Sequence, residues 1–278
     1  MLVTGATGLH GGGVAEALLA AGHRVRALTR DRSGRRAGWL AELGAELVLG
    51  DLLVADSLLG AMRDVRTVYA VTTPFGAGSQ SEVEQGEHII AAARQARVPS
   101  LILASVASAD RATGIPHFES KWRIEQQLEA SGIPHAVVAP TYFYENLGNP
   151  AEIVAAGELA LPLSVSRPLQ QLPVADLGAL VAAVLERHDE LMGERIEVAA
   201  DQPTPHQMAA ALQEAAGRPV SYRQLDALGS SGDIVAMYRY LEHTGYQVDI
   251  AGLRERFPEV RWTGFAEWAR RAMRERSP

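Results

Sequence analysis

The stretch TGATGLHGG, residues 4–12, sets Gly5, Gly8 and Gly11 three residues apart. It follows the apolar run LVT (2–4) and leads into the helical pattern GGVAEALLAAG (12–22). Glycines between a strand and a helix often do no more than turn the chain. At the first βα turn of a βαβ pattern they acquire a chemical reading. Glycine accepts positive φ and lets the backbone approach a pyrophosphate, while the helix that follows offers free N–H groups and its positive dipole end. Within the loop, Gly5, Thr7, Gly8, His10 and Gly11 are the expected dinucleotide contacts. The run LVT is short for a central strand, so a start at Met1 and a chain that begins a few residues late are both open.

Outward from this turn, short apolar runs alternate with helical patterns. RVRALT (24–29), ELVLGD (46–51), TVYAVT (67–72), SLILAS (100–105) and HAVVAP (135–140) read as strands. GWLAELG (38–44), DSLLGAMRD (56–64), SEVEQGEHIIAAARQA (81–96) and KWRIEQQLEASG (121–132) read as helices. Strands separated by helices of this length make βαβ units, a parallel sheet and, with right-handed crossovers, helices on both faces. After residue 146 the rhythm changes: residues 146–178 are rich in Pro and Gly and read as excursions with short strands. GALVAAVLERH (178–188) is a helix, RIEVAA (195–200) a strand, and TPHQMAAALQEAAG (204–217) a helix capped by Thr204 with Pro205 at its first position. The tail from 229 mixes helix and loop and ends in GFAEWARRAMRER (264–276). The expected fold is α/β, a doubly wound parallel sheet of Rossmann type with a small C-terminal α+β lobe. Residues 1–146 form the dinucleotide-binding domain; 147–278 form a smaller substrate or partner lobe, interleaved with the main domain through segments near 165–200.

A chain of 278 residues can bury a substantial core. Its net charge of −7 argues against binding nucleic acid through phosphates. The absence of cysteine excludes disulfides, thiolate catalysis and cysteine metal sites. No pair of His or acidic residues has metal-ligand spacing, so no metal is expected. No apolar run approaches a membrane span. A glycine turn so close to Met1 leaves no room for a signal peptide, so the expectation is a cytoplasmic monomer or homodimer with a small-molecule substrate.

The second strand runs into RALTRDRSGRR (26–36). An NAD-selective site places an acidic residue at that strand end, against the ribose 2′-hydroxyl. Here Thr29 and Arg30 stand there, with Arg35 and Arg36 close behind, and guanidinium groups suit a 2′-phosphate. The expectation is NADP(H), with NAD(H) as the alternative; Arg30 is the main ligand, and Asp31 is positioned to neutralise part of the pocket. In GDL (50–52), Asp51 can accept a hydrogen bond from adenine or simply shape a turn, and Leu52 can flank the ring. In VTTPF (71–75), Thr72, Thr73 and Phe75 can line the path to the nicotinamide, and Phe75 is equally readable as core.

TGATGLHGG, Arg30, HFESKWRIEQQLEASGIPHAVVAPTYFYENL (117–147) and VRWTGFAEW (260–268) together resemble the NmrA-like family, a branch of the atypical short-chain dehydrogenases/reductases. The glycine loop is shared with many relatives. The stretch from His117 to Leu147 is more specific, combining H-x-x-x-K, a Glu four residues after the Lys, S-G-I-P and Y-x-E-N-L. The resemblance implies a Rossmann-type domain, a small C-terminal lobe and an NADP(H) site. Some members of the family resemble quinone or enone reductases. Others resemble redox sensors that bind the dinucleotide and regulate a partner protein. The wider superfamily carries Y-x-x-x-K, with tyrosine as proton donor; His117 stands in its place, and histidine exchanges protons near neutral pH with a shorter reach.

Lys121 occupies the ribose-binding position of that pattern, and it is the only lysine beside 25 arginines. Two readings compete with a cofactor role: a surface pair with Glu125 one helical turn on, and drift in an arginine-rich chain. An ammonium is a compact charge on a thin stem and suits ribose hydroxyls better than a guanidinium does. By the resemblance, Lys121 is a ribose ligand or itself a general acid, and Pro140 and Thr141 contact the carboxamide. Tyr142 and Phe143 shape the substrate pocket, and Tyr142 or Tyr144 can supply a proton. Ser105 and Ser108 lie where these reductases place a hydroxyl, and His88 reads as a surface or core histidine.

Overall fold

The computed structural model describes residues 1–226 and 231–274. In chain order the elements are β1 (Leu2–Val3), α1 (Leu9–Ala20), β2 (Arg26–Thr29), α2 (Arg35–Glu42), β3 (Glu46–Leu49), α3 (Ala55–Ala61), β4 (Thr67–Ala70), α4 (Ser79–Ala96), β5 (Ser100–Ala104), α5 (Pro116–Ser131) and β6 (His135–Pro140). They continue with β7 (Tyr142–Phe143), α6 (Pro150–Ala156), β8 (Glu158–Leu161), β9 (Gln171–Leu172), α7 (Val174–Glu186), α8 (His188–Leu191) and β10 (Arg195–Val198). The last are α9 (Pro205–Ala216), β11 (Ser221–Gln224), α10 (Gly232–His243), α11 (Ile250–Arg256) and α12 (Phe265–Arg274).

Seven parallel strands form the central sheet in the order β10-β6-β5-β4-β1-β2-β3. The order reverses at β1, which lies between β2 and β4, and such a reversal opens a crevice at the carboxyl ends of the strands. Successive side chains of a strand point to opposite faces, so each buried strand feeds two cores. Val3, Ala27, Ile102 and Val138 pack under α1 and α7 with Val14, Leu18, Leu177, Leu180 and Val184. Leu2, Val68, Leu101 and Leu103 pack on the other face with Leu58, Ile89, Ala93, Ile124 and Leu128. Helices α1 and α7 approach closely at Gly178, where an added Cβ would lie 2.5 Å from Ala17 Cβ.

The remaining elements build the lobe. Strands β8 and β11 pair in parallel, and Tyr144, Leu159, Leu161, Met208, Leu212, Phe265 and Trp268 pack together around them. Strand β7 pairs with β9 beside the main sheet. Asp176 on α7 accepts hydrogen bonds from Thr263 N (2.6 Å) and Thr263 Oγ1 (2.9 Å), which ties the segment before α12 to the Rossmann layer.

Several boundaries differ from the sequence reading. Helix α1 begins at Leu9 because the glycine turn runs directly into it, and α5 begins at Pro116 because proline is pre-organised for a first helical position. His117 and Lys121 therefore share one helix, a turn apart. The Pro- and Gly-rich stretch contains a helix, α6, whose Asn149 side chain accepts from Ala151 N at 3.1 Å. The Thr204 cap and Pro205 start of α9 match the reading, with Gln207 completing a capping box. Residues 227–230 and 275–278 of the tail lie outside the described residues. No helix among the described residues is long and apolar enough to cross a membrane.

Candidate functional site

A cleft of about 1090 Å³ opens at the carboxyl ends of the strands, where the strand order reverses. Its floor is the glycine turn. Gly5 has φ +59°, and its carbonyl accepts from Gly8 N at 2.9 Å, closing the turn. Gly8 caps α1 without a side-chain hydrogen bond, and the first turn of α1 has no acidic residue, so its amide donors and dipole face the cleft uncompensated. A Cβ on Gly11 would lie 2.5 Å from the Gly5 carbonyl oxygen, a backbone atom that cannot move aside. This is a cradle shaped for an anionic group close to backbone, and it fits a dinucleotide pyrophosphate. Thr7 and His10 line it as well.

At one end of the cleft stand Arg30, Asp51 and Leu52. The Asp31 carboxylate is turned away: it accepts from Ser33 N (2.8 Å) and Ser33 Oγ (2.6 Å), and these bonds hold its pKa below the usual value. Asp31 does not line the cleft, whereas Arg30 does. Arg35 and Arg36 also lie off the cleft, because both begin α2, and Arg36 pairs with Glu16 on α1. Asp51 Oδ1 accepts from Leu53 N at 2.9 Å, so it shapes a turn while facing the cleft. His88 sits outside it, bonded through Nδ1 to the Leu52 carbonyl at 2.8 Å.

Lys121 lines the cleft and is only 9% exposed. Its ammonium donates to Thr72 Oγ1 (2.9 Å), Thr72 O (3.1 Å) and Ala104 O (3.3 Å), and pairs with Glu82 Oε1 at 2.9 Å. Glu82 is completely buried and also accepts from Thr72 Oγ1 (3.0 Å) and Ser120 Oγ (2.5 Å). The surface pairing of Lys121 with Glu125 is not formed. Glu125 instead accepts from Ser105 Oγ and from Arg195 Nε (2.9 Å); burial raises its carboxyl pKa and Arg195 partly offsets this. Ser105 thus lines the cleft with its hydroxyl committed to Glu125, while Ser108 is buried off the cleft.

Pro140, Thr141, Tyr142, Phe143, Thr73 and Phe75 line the other end of the cleft together with His117, Tyr238 and Tyr246. Phe75 is 69% exposed, so it is a rim residue and not core. Thr73 N donates to Gln85 Oε1 at 3.0 Å, and Thr141 Oγ1 donates to Val198 O at 3.0 Å, which fixes both loops. The Tyr142 hydroxyl is 2.9 Å from that of Tyr238, and burial raises the pKa of both phenols. Tyr144 does not reach the cleft: its hydroxyl donates to Thr263 O at 3.0 Å inside the lobe core, so it supplies no proton there. His10 Nε2 lies 2.6 Å from the Tyr69 hydroxyl; burial, and then the Lys121 charge, lower its pKa to about 3, so the ring is neutral.

His117 Nδ1 meets Asp233 Oδ1 at 2.5 Å. Neither Asp233 nor Glu82 was singled out in the sequence. Both reach the site through contacts distant in the chain, 116 residues in the case of Asp233, and no local spacing marks them.

The family model described as NmrA-like family matches residues 1–268. Photosystem II assembly factor Ycf39 from Cyanophora paradoxa is 29% identical over 168 residues, covering 59% of this chain and 49% of that protein. The chain spans about half the length of the curated relatives it matches first, 49%, 47% and 48% for three Ycf39 proteins. Among solved structures, an NADPH-dependent quinone oxidoreductase from Escherichia coli complexed with NADPH superposes with a TM-score of 0.80 at 23% identity, covering 96% of this chain and 98% of that one. NmrA, titled a negative transcriptional regulator, gives 0.83 at 20% identity, covering 99% and 95%. At such identities the superpositions speak for the fold. The family match itself runs from Met1 to Trp268, through the glycine turn, the cleft and the lobe, and on that ground the chain belongs to the NmrA-like family.

Proposed function

We propose that this protein binds NADP(H) and reduces a small quinone or conjugated carbonyl. The observation that carries the reading is that one cleft unites the glycine cradle, Arg30, Lys121 and an aromatic end containing His117. Gly5, Thr7, Gly8, His10 and Gly11 would hold the pyrophosphate, Arg30 the 2′-phosphate, and Asp51 and Leu52 the adenine. Thr72, Thr73, Pro140, Thr141 and Phe143 would surround the nicotinamide half, with Lys121 on its ribose side. When bound, the reduced dinucleotide supplies two electrons and a hydrogen to an acceptor in the aromatic end. Lys121 already meets four protein acceptors with three protons, so its part is a fixed positive charge and not proton delivery. The Tyr142 phenol is tied to Tyr238. His117, whose ring lines the same cleft, would then be the proton donor. The quinone oxidoreductase of like fold supports the substrate class, and with Arg30 the one arginine lining the cleft among the described residues, NAD(H) stays as the alternative cofactor.

A second reading is a dinucleotide sensor that acts on a partner protein. It is favoured by the saturated Lys121 ammonium and by the likeness to NmrA. One set of measurements separates them. NADPH and NADH binding are titrated by fluorescence, and NADPH oxidation is followed with a panel of quinones and enones. Arg30→Ala is expected to weaken NADPH by about ten- to a hundredfold and NADH by no more than about twofold. Equal loss for both removes the 2′-phosphate assignment. Tight NADPH binding without oxidation of any panel member transfers the reading to the sensor.

A further inference from the structure

We propose that Asp233, contributed by the lobe, is the positioning residue of the proton donor. It holds His117 with Nδ1–H on the carboxylate and thereby presents Nε2 to the acceptor. The inference rests on the reductase reading for its chemistry, while its geometry stands apart from it.

Two helix N-termini meet at this point. His117 is the second residue of α5 and Asp233 the second residue of α10. Both positive helix ends favour an anionic group at this point. The Asp233 carboxylate, 2.5 Å from Nδ1, supplies the opposing charge and suits the start of its own helix. The other charged groups near this corner are committed elsewhere. Glu119 on α5 accepts from Gly114 N at 2.9 Å, and Lys121 and Glu82 neutralise each other. The neighbouring rings, Phe75 and Phe118, carry no charge; their centroids lie 6.3 and 4.8 Å from that of His117.

The two imidazole nitrogens are distinct, and the bond made by one selects the state of the other. With Nδ1 on Asp233, no described residue hydrogen-bonds to Nε2, on a ring that lines the cleft. This is the arrangement of an acid–base histidine oriented by a third group. A bound dinucleotide would supply hydride, so the chain's own part in the reduction is the proton. Nε2 of the imidazolium gives its proton to the acceptor oxygen, the ring is left neutral with Nδ1–H on Asp233, and solvent at the cleft mouth restores the proton. Because Ile234, Met237 and Tyr238 of the same helix line the cleft, the donor is complete only when α10 is seated against α5.

The test uses the full chain labelled with 15N-histidine, the His117 ring signals being assigned by their loss in His117→Gln. The neutral wild-type ring is expected in the Nδ1–H form, and Asp233→Ala is expected to convert it to the Nε2–H form. Asp233→Asn is expected to lower kcat by about ten- to a hundredfold with NADPH affinity within about twofold, and Asp233→Glu to recover part of the loss. An unchanged tautomer in Asp233→Ala, or a kcat unchanged in Asp233→Asn, overturns the proposal. So does a loss explained by lowered stability, read as a urea midpoint that falls without a tautomer change. If the wild type oxidises no NADPH with any acceptor, the reductase reading fails, and the ring spectra alone decide whether Asp233 sets the state of His117.

Discussion

At the scale of the residue, the lone lysine has a physical explanation in its surroundings. The ammonium points its protons at two carbonyls, a hydroxyl and a carboxylate that converge from the segment after β4, from α4 and from β5. A planar guanidinium presents five donors in a fixed fork and cannot meet that set within the same volume. Removing the ammonium leaves Glu82 charged and fully buried without its counter-ion. Lys121→Met is therefore expected to destabilise the fold by about 3–5 kcal/mol, and the double variant Lys121→Met, Glu82→Gln to recover most of that loss. Urea unfolding of the single and double variants measures it. Additive losses would show that the two side chains act independently and that the lysine is kept for cofactor contact alone.

At the scale of the element, the tie between α7 and the segment before α12 predicts a pH dependence. Burial raises the Asp176 carboxyl pKa from 3.8 to about 6, against the pull of its two bonds from Thr263. The folded state then holds this proton more tightly than the unfolded chain. Its contribution is fully present below 3.8 and is lost as pH rises to about 6, a change on the order of 3 kcal/mol. Asp176→Asn carries no such charge, so its stability relative to the wild type should rise by about that amount between pH 4 and 7. Parallel urea-unfolding curves over that range would refute the assignment. The elements themselves were legible to different degrees. The inner strands β4, β5 and β6 are buried on both faces and read as unbroken apolar runs such as LILA and AVVA, so their order along the chain was plain. Helix starts were less so: the glycines that open α1 read as turn, and α5 was read from Lys121 although Pro116 is a helix-start residue. The glycine turn, Arg30 and Thr72–Thr73 were visible from their places at strand ends, whereas Pro140, Thr141, Tyr142 and Phe143 followed from the family resemblance. Among the misplaced candidates, Arg35, Arg36 and Tyr144 turn away because a helix start or a lobe core claims them, and Ser108 is fully buried off the cleft. Glu82 and Asp233 were invisible because their partners are set by tertiary packing, and the β8–β11 pairing was hidden for the same reason.

At the scale of the whole molecule, the Rossmann layer is not finished by the residues that begin it. The core beneath α1 takes Leu177, Leu180, Val181 and Val184 from α7, and Ile196 and Val198 from β10. Strand β10 also pairs along all of its length with β6. Each such side chain contributes about 1.5–3 kcal/mol when fully buried, so their sum is comparable with the about 5–15 kcal/mol by which a whole domain is stable. Without them the apolar face of α1 meets water, and β6 becomes an open sheet edge of the kind that pairs with other chains. A fragment of residues 1–146 holds the glycine turn, Arg30, Lys121 and His117, yet it lacks this cover and also Asp233. It is expected to aggregate or to lose ellipticity without a cooperative urea transition, and to bind NADPH weakly or not at all. Co-expression with residues 147–278 is expected to restore both the transition and binding, because the later segments supply packing and part of the cleft lining. A fragment 1–146 that unfolds cooperatively at the midpoint of the full chain would mean that the sheet is self-sufficient through β6, and that α7 and β10 dock onto a finished domain.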